Sequence, residues 1–350
     1  MLNLAQMDFK NYLQIAAEEI NQEMDSIFTE WSSEVGVINN KLIPLNQAFI
    51  EACSGGKRLR GALVKLGYEI ASGKETKDIL KPAVAVEIFQ TAILAHDDII
   101  DKSLLRRGKP TLYKVLGGDH HGISQTICLG DIGFFLTMKL LTDNNFPEKI
   151  KNSALNCFAR TTINTGWGEV LDVELPYLKG EKTASDVLTI FKLKTAEYTI
   201  TGPMQMGAIL GGAEQMLLKD IEEFGTNLGI AFQIQDDILG VFGKEETIGK
   251  PVTSDIEEGK LTLMIIHARE KASEEQNKIL DKYYGKENIG DKELDAIRKV
   301  FKDTGAPDYS QKKAEELVDI AKKIIPQITK DSEKAKLLEE MADFLVKRIN

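Results

Sequence analysis

Cysteine and proline are scarce in this 350-residue chain, at 3 and 9 residues. Cys53, Cys128 and Cys157 are odd in number, widely spaced and form no C-x-x-C pair. That argues against a disulfide framework or a thiolate zinc site and leaves them as small core residues. Positive charge is also in deficit. The 44 Lys and Arg stand against 54 Asp and Glu, a formal net charge of −10. General affinity for nucleic acid is therefore excluded, and an anionic membrane surface is disfavoured. No run approaches the roughly 18 apolar residues of a spanning helix, and the first ten residues do not follow the basic, then apolar pattern of a leader. The expectation is a cytoplasmic protein with no transmembrane segment. Strand-like alternation is nearly missing as well.

Helical periodicity fills the space. Phe9, Tyr12, Leu13 and Ala16 show it, as do Leu59, Leu63, Leu66 and Ile70, and later Leu317, Ile320, Ala321 and Ile324. Apolar residues at this spacing make one face of a helix, so the fold class is all-α. Breaks are expected at Gly55-Gly56, Gly73-Lys74, Gly108 to Pro110, Gly117-Gly118, Asn144 to Pro147, Gly211-Gly212 and Gly249 to Pro251. They leave helices of about 15–25 residues. Pro82 to Asp101 and Ala154 to Leu175 are apolar around much of their circumference, which places them at the centre of a helical bundle with a central cavity. Helices before about residue 50 and charged outer helices from about residue 270 complete a single domain spanning 1–350.

Within the first of those central helices, Asp97, Asp98 and Asp101 end an apolar run. Asp97 and Asp101 are four apart, and Asp98 and Asp101 three apart, so a helix gathers them on one end. Clustered carboxylates are costly without cations, and a hard cation such as Mg2+, shared with phosphate oxygens, suits them. A solvated acidic helix end is the alternative. Arg106-Arg107-Gly108-Lys109 follows at once, either to bind a phosphate-rich substrate or simply to bridge to the aspartates. Upstream, Gly55-Gly56-Lys57-Arg58-Leu59-Arg60 opens a helix. Lys57 and Arg60 share a face there, with backbone N–H groups adding positive potential, an arrangement suited to a diphosphate.

A second acidic cluster, Asp236 and Asp237 within Phe232-Gln233-Ile234-Gln235-Asp236-Asp237-Ile238-Leu239-Gly240, ends another apolar helix. Lys244, Lys250 and Lys260 trail it. Two such clusters could face each other across a bundle cavity, with two or three Mg2+ ions between them and one diphosphate. Lys194 and Thr195 lie between the clusters, in a helix that goes on apolar. Lys194 on that face wants an anion, or else snorkels to the surface. His96 could donate to a phosphate or be a satisfied structural histidine. His120, His121 and His267 lack metal-ligand spacing and are assigned no chemistry.

In this order, the motifs resemble those of the trans-isoprenyl diphosphate synthases, the polyprenyl synthetase family, from about Gly55 to the C-terminal end. Gly-Gly-Lys-x-x-Arg, the first D-D-x-x-D, Arg106-Arg107-Gly108, Gly130-Asp131, Lys194-Thr195, Phe232-Gln233-x-x-Asp-Asp and Gly249-Lys-Pro-Val all match. Most like a geranylgeranyl diphosphate synthase, the chain is expected to condense isopentenyl diphosphate with an allylic diphosphate. The resemblance implies Asp97, Asp98, Asp101 and Asp236 as Mg2+ ligands, with Asp237 also in the catalytic set. It assigns Lys57, Arg60, His96 and Arg107 to isopentenyl diphosphate. Arg106, Lys194, Lys250 and Lys260 go to the allylic diphosphate, and Thr195 and Gln233 stand near the developing cation. A homodimer is implied too. The chain departs from the pattern in two places: Gly240 stands where a third aspartate is usual, and Glu169 where Gln is common.

Product length should follow the side chains one and two helical turns before Asp97, since one turn rises about 5.4 Å. The family's early-blocking position is Ala92 here, followed by Ile93, and Phe89 lies one turn deeper. This favours geranylgeranyl diphosphate over farnesyl diphosphate, with a longer polyprenyl product as competitor. A class I terpene cyclase would need no second diphosphate, which Lys57, Arg60 and Arg107 serve. A non-catalytic partner subunit would commonly lack first-motif aspartates, and this chain keeps three.

Overall fold

The computed structural model describes residues 8–243 and 252–346. The described residues form helices joined by turns and loops, with one short hairpin among them. It forms two compact units. One runs through Ala159 and takes in Gly202–Lys219; the other holds Arg160–Thr201 and the chain from Asp220 on.

The first unit contains α1 (Phe9–Ile38), α2 (Ile43–Cys53), α3 (Leu59–Ser72), α4 (Leu80–Ile100), α5 (Leu112–Val115), α6 (His120–Thr142) and α9 (Gly202–Leu210). It also holds the start of α7 (Glu148–Glu174). α4 is its core: it packs on α1, α3 and α6, and α3 packs on α9. Every α4 residue from Pro82 to Phe89 is buried, so its near-continuous apolar surface is used on several sides. Among the described residues, Lys77–Ile100 is the one stretch long and apolar enough to cross a membrane, and 67% of its most apolar window is buried in the protein. Such burial is that of a core helix.

The expected breaks hold where they are described. Gly73, at φ 66°, ends α3 and donates its N–H to the Glu69 carbonyl. The Asp119 side chain caps α6 by accepting from the Gly122 N–H. Gly249 to Pro251 lie outside the described residues. The helices run longer than expected, since α1 has 30 residues and α7 has 27. The run from Ala154 to Leu175 is also less central than its composition suggests. Ala154, Cys157, Thr161 and Thr165 are buried, but Ile163, Trp167, Val170 and Val173 are exposed. Apolar residues all round a helix can serve two different contacts, and composition does not separate them.

In the second unit, α8 (Ala184–Ile190) continues into an 11-residue π-helix, Phe191–Thr201. Stretches of this kind are rare and gather at functional sites. α10 (Gln215–Phe242) packs on it closely, with Gly229 against Ala196 and Gly225 against Thr201. Then follow α11 (Ser254–Glu257), α12 (Leu263–Lys271), α13 (Glu274–Tyr283), α14 (Asp291–Asp303), α15 (Ala306–Ile328) and α16 (Ser332–Val346). α12 packs on α8 and α15, and α16 on α15. The charged faces of this C-terminal stretch are largely exposed, as expected of outer helices.

Candidate active site

The first acidic cluster ends α4 in the first unit. Asp98 is buried, at 4% exposure; Asp97 and Asp101 are half-buried, and the Asp101 N–H caps the helix on the Asp97 carbonyl. Next comes the hairpin, in which strands β1 (Leu105–Arg106) and β2 (Lys109–Pro110) pair antiparallel. Arg107 and Gly108 form its turn at φ 54° and 73°, the left-handed pair that a tight two-residue hairpin requires. The turn sends the two arginines apart. Arg106 donates from Nε to Asp98 Oδ1 at 2.8 Å and from Nη2 to Asp97 Oδ2 at 3.1 Å. Bridging to the aspartates, one of the two readings of this arginine, is therefore present. A cation on Asp97 and Asp98 would share those oxygens with Arg106 or displace it.

Arg107 goes to the Gly55-Gly56 loop. A Cβ on Gly56 would lie 2.7 Å from Arg107 Nη1, so the guanidinium rests against the bare glycine. Burial lowers the Arg107 pKa from its ordinary value; Arg106, Arg60 and Arg58 push the same way, and Glu87 opposes them. Arg60 and Arg107 are thus brought together in a cluster that repels itself and would be relieved by an anion. Lys57 is exposed beside them. Arg58, which motif reading passed over, turns inward. At φ 52° it precedes α3; its Nε donates to Asn21 Oδ1 at 2.7 Å and its Nη1 lies 3.8 Å from Glu87 Oε2. Glu87 also accepts from the Gly61 N–H at 2.8 Å, tying the basic turn to α4.

His96 has other surroundings. Its Nε2 is 3.1 Å from the Ile127 carbonyl and 3.8 Å from Asp131 Oδ1, and its ring meets Phe134 edge-on. Contacts from α6 thus engage Nε2 and one side of the ring. Of the length-setting positions, Ile93 is half-buried, whereas Ala92 is fully buried. A Cβ on Gly133 would come within 2.7 Å of both the Ala92 methyl and Phe49 Cζ. Ala92 therefore lies in the α4–α6 contact.

In the second unit the π-helix holds Lys194, whose Nζ is 2.8 Å from Asp172 Oδ2 and 2.8 Å from Glu169 Oε2, both on α7. The next residue, Thr195, begins a relay. Its hydroxyl donates to Gln233 Oε1 at 2.8 Å, and Gln233 Nε2 donates to Asp237 Oδ1 at 2.8 Å. Lys260 Nζ reaches the same Oδ1 at 3.2 Å. Asp237 is buried at 3% exposure, and its Oδ2 has no hydrogen-bond partner among the described residues. Burial, with Asp255, pushes its pKa up to about 6 against the pull of Lys260 and the Gln233 hydrogen bond. Burial also works against a charged Lys260, but Asp237, Asp255, Asp172 and Glu258 outweigh it and hold its pKa well above the usual lysine value. Asp236, by contrast, is half-buried and is the more accessible of the pair.

Asp255, on α11, is a residue that motif reading missed. It is 4% exposed, and its carboxylate packs against Gly240 so tightly that any Cβ there would collide with it. The missing third aspartate of the second motif is thus matched by a carboxylate from 15 residues downstream. The one local hint was an acid five residues before Lys260. Lys244 and Lys250 lie outside the described residues.

Among the described residues, no three carboxylate, imidazole or thiolate groups already converge as a metal cage. Mg2+ does not require one, since it is usually held by one or two carboxylates, waters and substrate phosphates. The hard oxygens of Asp97, Asp98, Asp101 and Asp236 fit it, and so does an environment with Asp237 Oδ2 left unpartnered.

Comparison with known proteins agrees with these motifs. Residues 44–302 match the family model described as polyprenyl synthetase. A short chain isoprenyl diphosphate synthase of Methanothermobacter thermautotrophicus is 32% identical over 97% of this chain and 97% of its own length. A geranylgeranyl diphosphate synthase of Sulfolobus acidocaldarius is 33% identical over 84% of this chain and 88% of its own. The crystal structure of a polyprenyl synthase of Caulobacter crescentus CB15, complexed with calcium and isoprenyl diphosphate, superposes with a TM-score of 0.81. It is 28% identical and covers 97% of this chain and 98% of its own.

Proposed function

The chain belongs to the polyprenyl synthetase family, and on that premise we propose that it is a Mg2+-dependent prenyltransferase. It joins isopentenyl diphosphate to an allylic diphosphate and yields a longer all-trans prenyl diphosphate, geranylgeranyl diphosphate in the first instance. The observation that carries this is the hairpin at Arg106-Arg107. One arginine reaches the carboxylates Asp97 and Asp98, and the next lies on Gly56 within the cationic cluster of Arg60 and Arg58. A metal-binding end and a diphosphate-binding turn are thereby joined by adjacent residues. The family match from 44 to 302 runs through both compact units, which supports treating the chain as one functional domain.

In the first unit, Lys57, Arg60 and Arg107 bind isopentenyl diphosphate, with Arg giving forked contacts and Lys a point charge. Asp97, Asp98 and Asp101 would hold a cation there, and Asp236 is the candidate ligand within the second unit. When bound, Mg2+ supplies charge neutralisation for the departing diphosphate. Arg106 in the first unit, and Lys194, Lys250 and Lys260 in the second, are the candidate cations for the allylic diphosphate. The Thr195–Gln233–Asp237 relay fixes the amide dipole of Gln233, so that its orientation costs nothing as positive charge develops on the allylic carbon. Bulk water must be kept from that carbon, a task for the apolar side chains. The proton lost at the end passes to the released diphosphate.

We also propose a homodimer. Ile127, Ile132, Phe135 and Met138 of α6 are each more than 40% exposed, an apolar face suited to a second copy.

The deciding experiment incubates the purified chain with Mg2+, isopentenyl diphosphate and each allylic starter in turn, and measures product chain length. Consumption of an allylic diphosphate without isopentenyl diphosphate, with release of a hydrocarbon or alcohol, would identify a cyclase instead. Turnover that appears only on adding a homologous synthase would identify a partner subunit.

A further inference from the structure

We propose that Tyr284 is a positioning residue that fixes where the Lys260 ammonium can reach, and so how tightly the allylic diphosphate is held; the inference rests on the reading of Lys260 above. Lys260 lies between α11 and α12, outside any helix. The Tyr284 hydroxyl donates to the Lys260 backbone carbonyl at 2.5 Å. The Lys260 N–H donates to the Asp255 carbonyl at 3.1 Å. Both backbone polar groups of the lysine are therefore tied, and its side chain extends from a fixed base to put Nζ 3.2 Å from Asp237 Oδ1.

Tyr284 is itself well anchored. It caps α13, its N–H donating to the Leu280 carbonyl, and its ring meets Phe301 of α14 edge-on at 6.3 Å. The next residue, Gly285, donates its N–H to the Ile256 carbonyl of α11 at 2.8 Å. Gly285 and Gly259, at φ 77° and 67°, press together so closely that a Cβ on Gly259 would lie 3.1 Å from Gly285 Cα. Further on, the Ile289 N–H donates to Glu257 Oε1 at 3.0 Å. The α13–α14 connection is thus fastened along the segment that carries Lys260, and the Tyr284 bond ends on Lys260 itself. All these residues belong to the second unit. Burial, with Asp255 and Asp237, pushes the Tyr284 hydroxyl above the usual tyrosine pKa against Lys260 and Thr262, so it keeps its proton and goes on donating. A group that binds a diphosphate must be placed to within a fraction of an ångström, and a misplacement of 1 Å can cost about 100-fold. No motif read from the sequence includes Tyr284, which stands 24 residues after the lysine it holds.

The test compares the wild type, Tyr284→Phe, Lys260→Ala, the double variant Lys260→Ala/Tyr284→Phe and Tyr283→Phe, by two-substrate kinetics and by calorimetric binding of farnesyl diphosphate without isopentenyl diphosphate. Tyr284→Phe keeps the ring and its Phe301 contact and removes only the hydroxyl. It is expected to raise the KM for farnesyl diphosphate about 5–20-fold and to weaken its binding by a similar factor. The KM for isopentenyl diphosphate should change less than about twofold, a split that general loosening of the fold would not give. Added to Lys260→Ala, the same change should alter the allylic KM less than about twofold, because Tyr284 acts through the lysine that is gone. Tyr283→Phe, at a ring contacted by Lys282, leaves both KM values unchanged. If Tyr284→Phe does not fold, Glu257→Ala loosens the same connection at the Ile289 link and is expected to raise the allylic KM at least about twofold. Unchanged farnesyl diphosphate binding in the folded variant, an equal rise in both KM values, or a full effect in the Lys260→Ala background would overturn the inference. Wild-type turnover judges the elongation reading separately: if the wild type elongates and Tyr284→Phe matches it, only the role of Tyr284 fails. If the wild type does not elongate, the proposed function fails, and the calorimetry still decides whether Tyr284 acts through Lys260.

Discussion

The carboxylate of Asp255 occupies the space beside Gly240 that a side chain at Gly240 would need. The two positions therefore work as one, with the carboxylate reaching the second acidic cluster from α11 rather than from α10. Asp255→Asn is expected to weaken activation by Mg2+, raising the concentration for half-maximal rate about 10–100-fold, as changes just beyond the metal ligands commonly do. Gly240→Ala is expected to cost about 1–3 kcal/mol of stability through overpacking. Mg2+ titrations of activity and urea melts check the two. An Asp255→Asn variant with unchanged Mg2+ dependence would remove Asp255 from the site.

Asp237 should mark the pH dependence of folding in metal-free buffer. Its folded pKa is raised from 3.8 to about 6, so the folded state binds the proton more tightly than the unfolded chain. Its contribution is fully present below about pH 4 and is lost as pH rises through 6, an effect on the order of 3 kcal/mol. Asp237→Asn removes the titrating group, so the stability difference between variant and wild type should grow in the variant's favour across that window. Urea melts between pH 4 and pH 7.5 in chelator measure this difference. A difference that stays flat with pH would rule the assignment out.

Adjacent residues of the basic turn should behave differently. Arg58 is buried against Glu87 and Asn21, so Arg58→Ala leaves a buried carboxylate short of its partner and should cost about 3–5 kcal/mol. Lys57 is exposed, so Lys57→Ala should change stability by no more than about 0.5 kcal/mol. It should instead raise the KM for isopentenyl diphosphate while leaving that for the allylic substrate near its original value. Denaturant melts and two-substrate kinetics separate these effects.

The thiols can report on assembly. Burial pushes Cys53 up to about 12, and Cys157 is buried as well, so neither should react at pH 8 until the protein unfolds. Cys128 is exposed on α6, one turn from Ile132. Its labelling should be fast in dilute protein and slow as copies associate. A rate independent of protein concentration, with sedimentation showing a dimer, would move the interface away from α6.

Sequence alone determined the helical class, most helix ends and the order of the charged motifs, because these depend on signals acting over a few residues. Apolar spacing selects a helix, glycine at positive φ ends one, and a helical turn gathers Asp97, Asp98 and Asp101 whatever surrounds them. Tertiary structure decided which side chains face which. It turned Arg58 inward beside an exposed Lys57, sent Arg106 to the aspartates and Arg107 to Gly56, and gave His96 to α6. It also set Asp255 against Gly240 and brought Phe134 and Phe158 to Phe89. Apart from Arg106, which the hairpin turn carries to aspartates eight and nine residues back, these pairings have no local cause. Each follows from the packing of helices distant in sequence, where close approach at a glycine or the burial of a charge selects one neighbour among many.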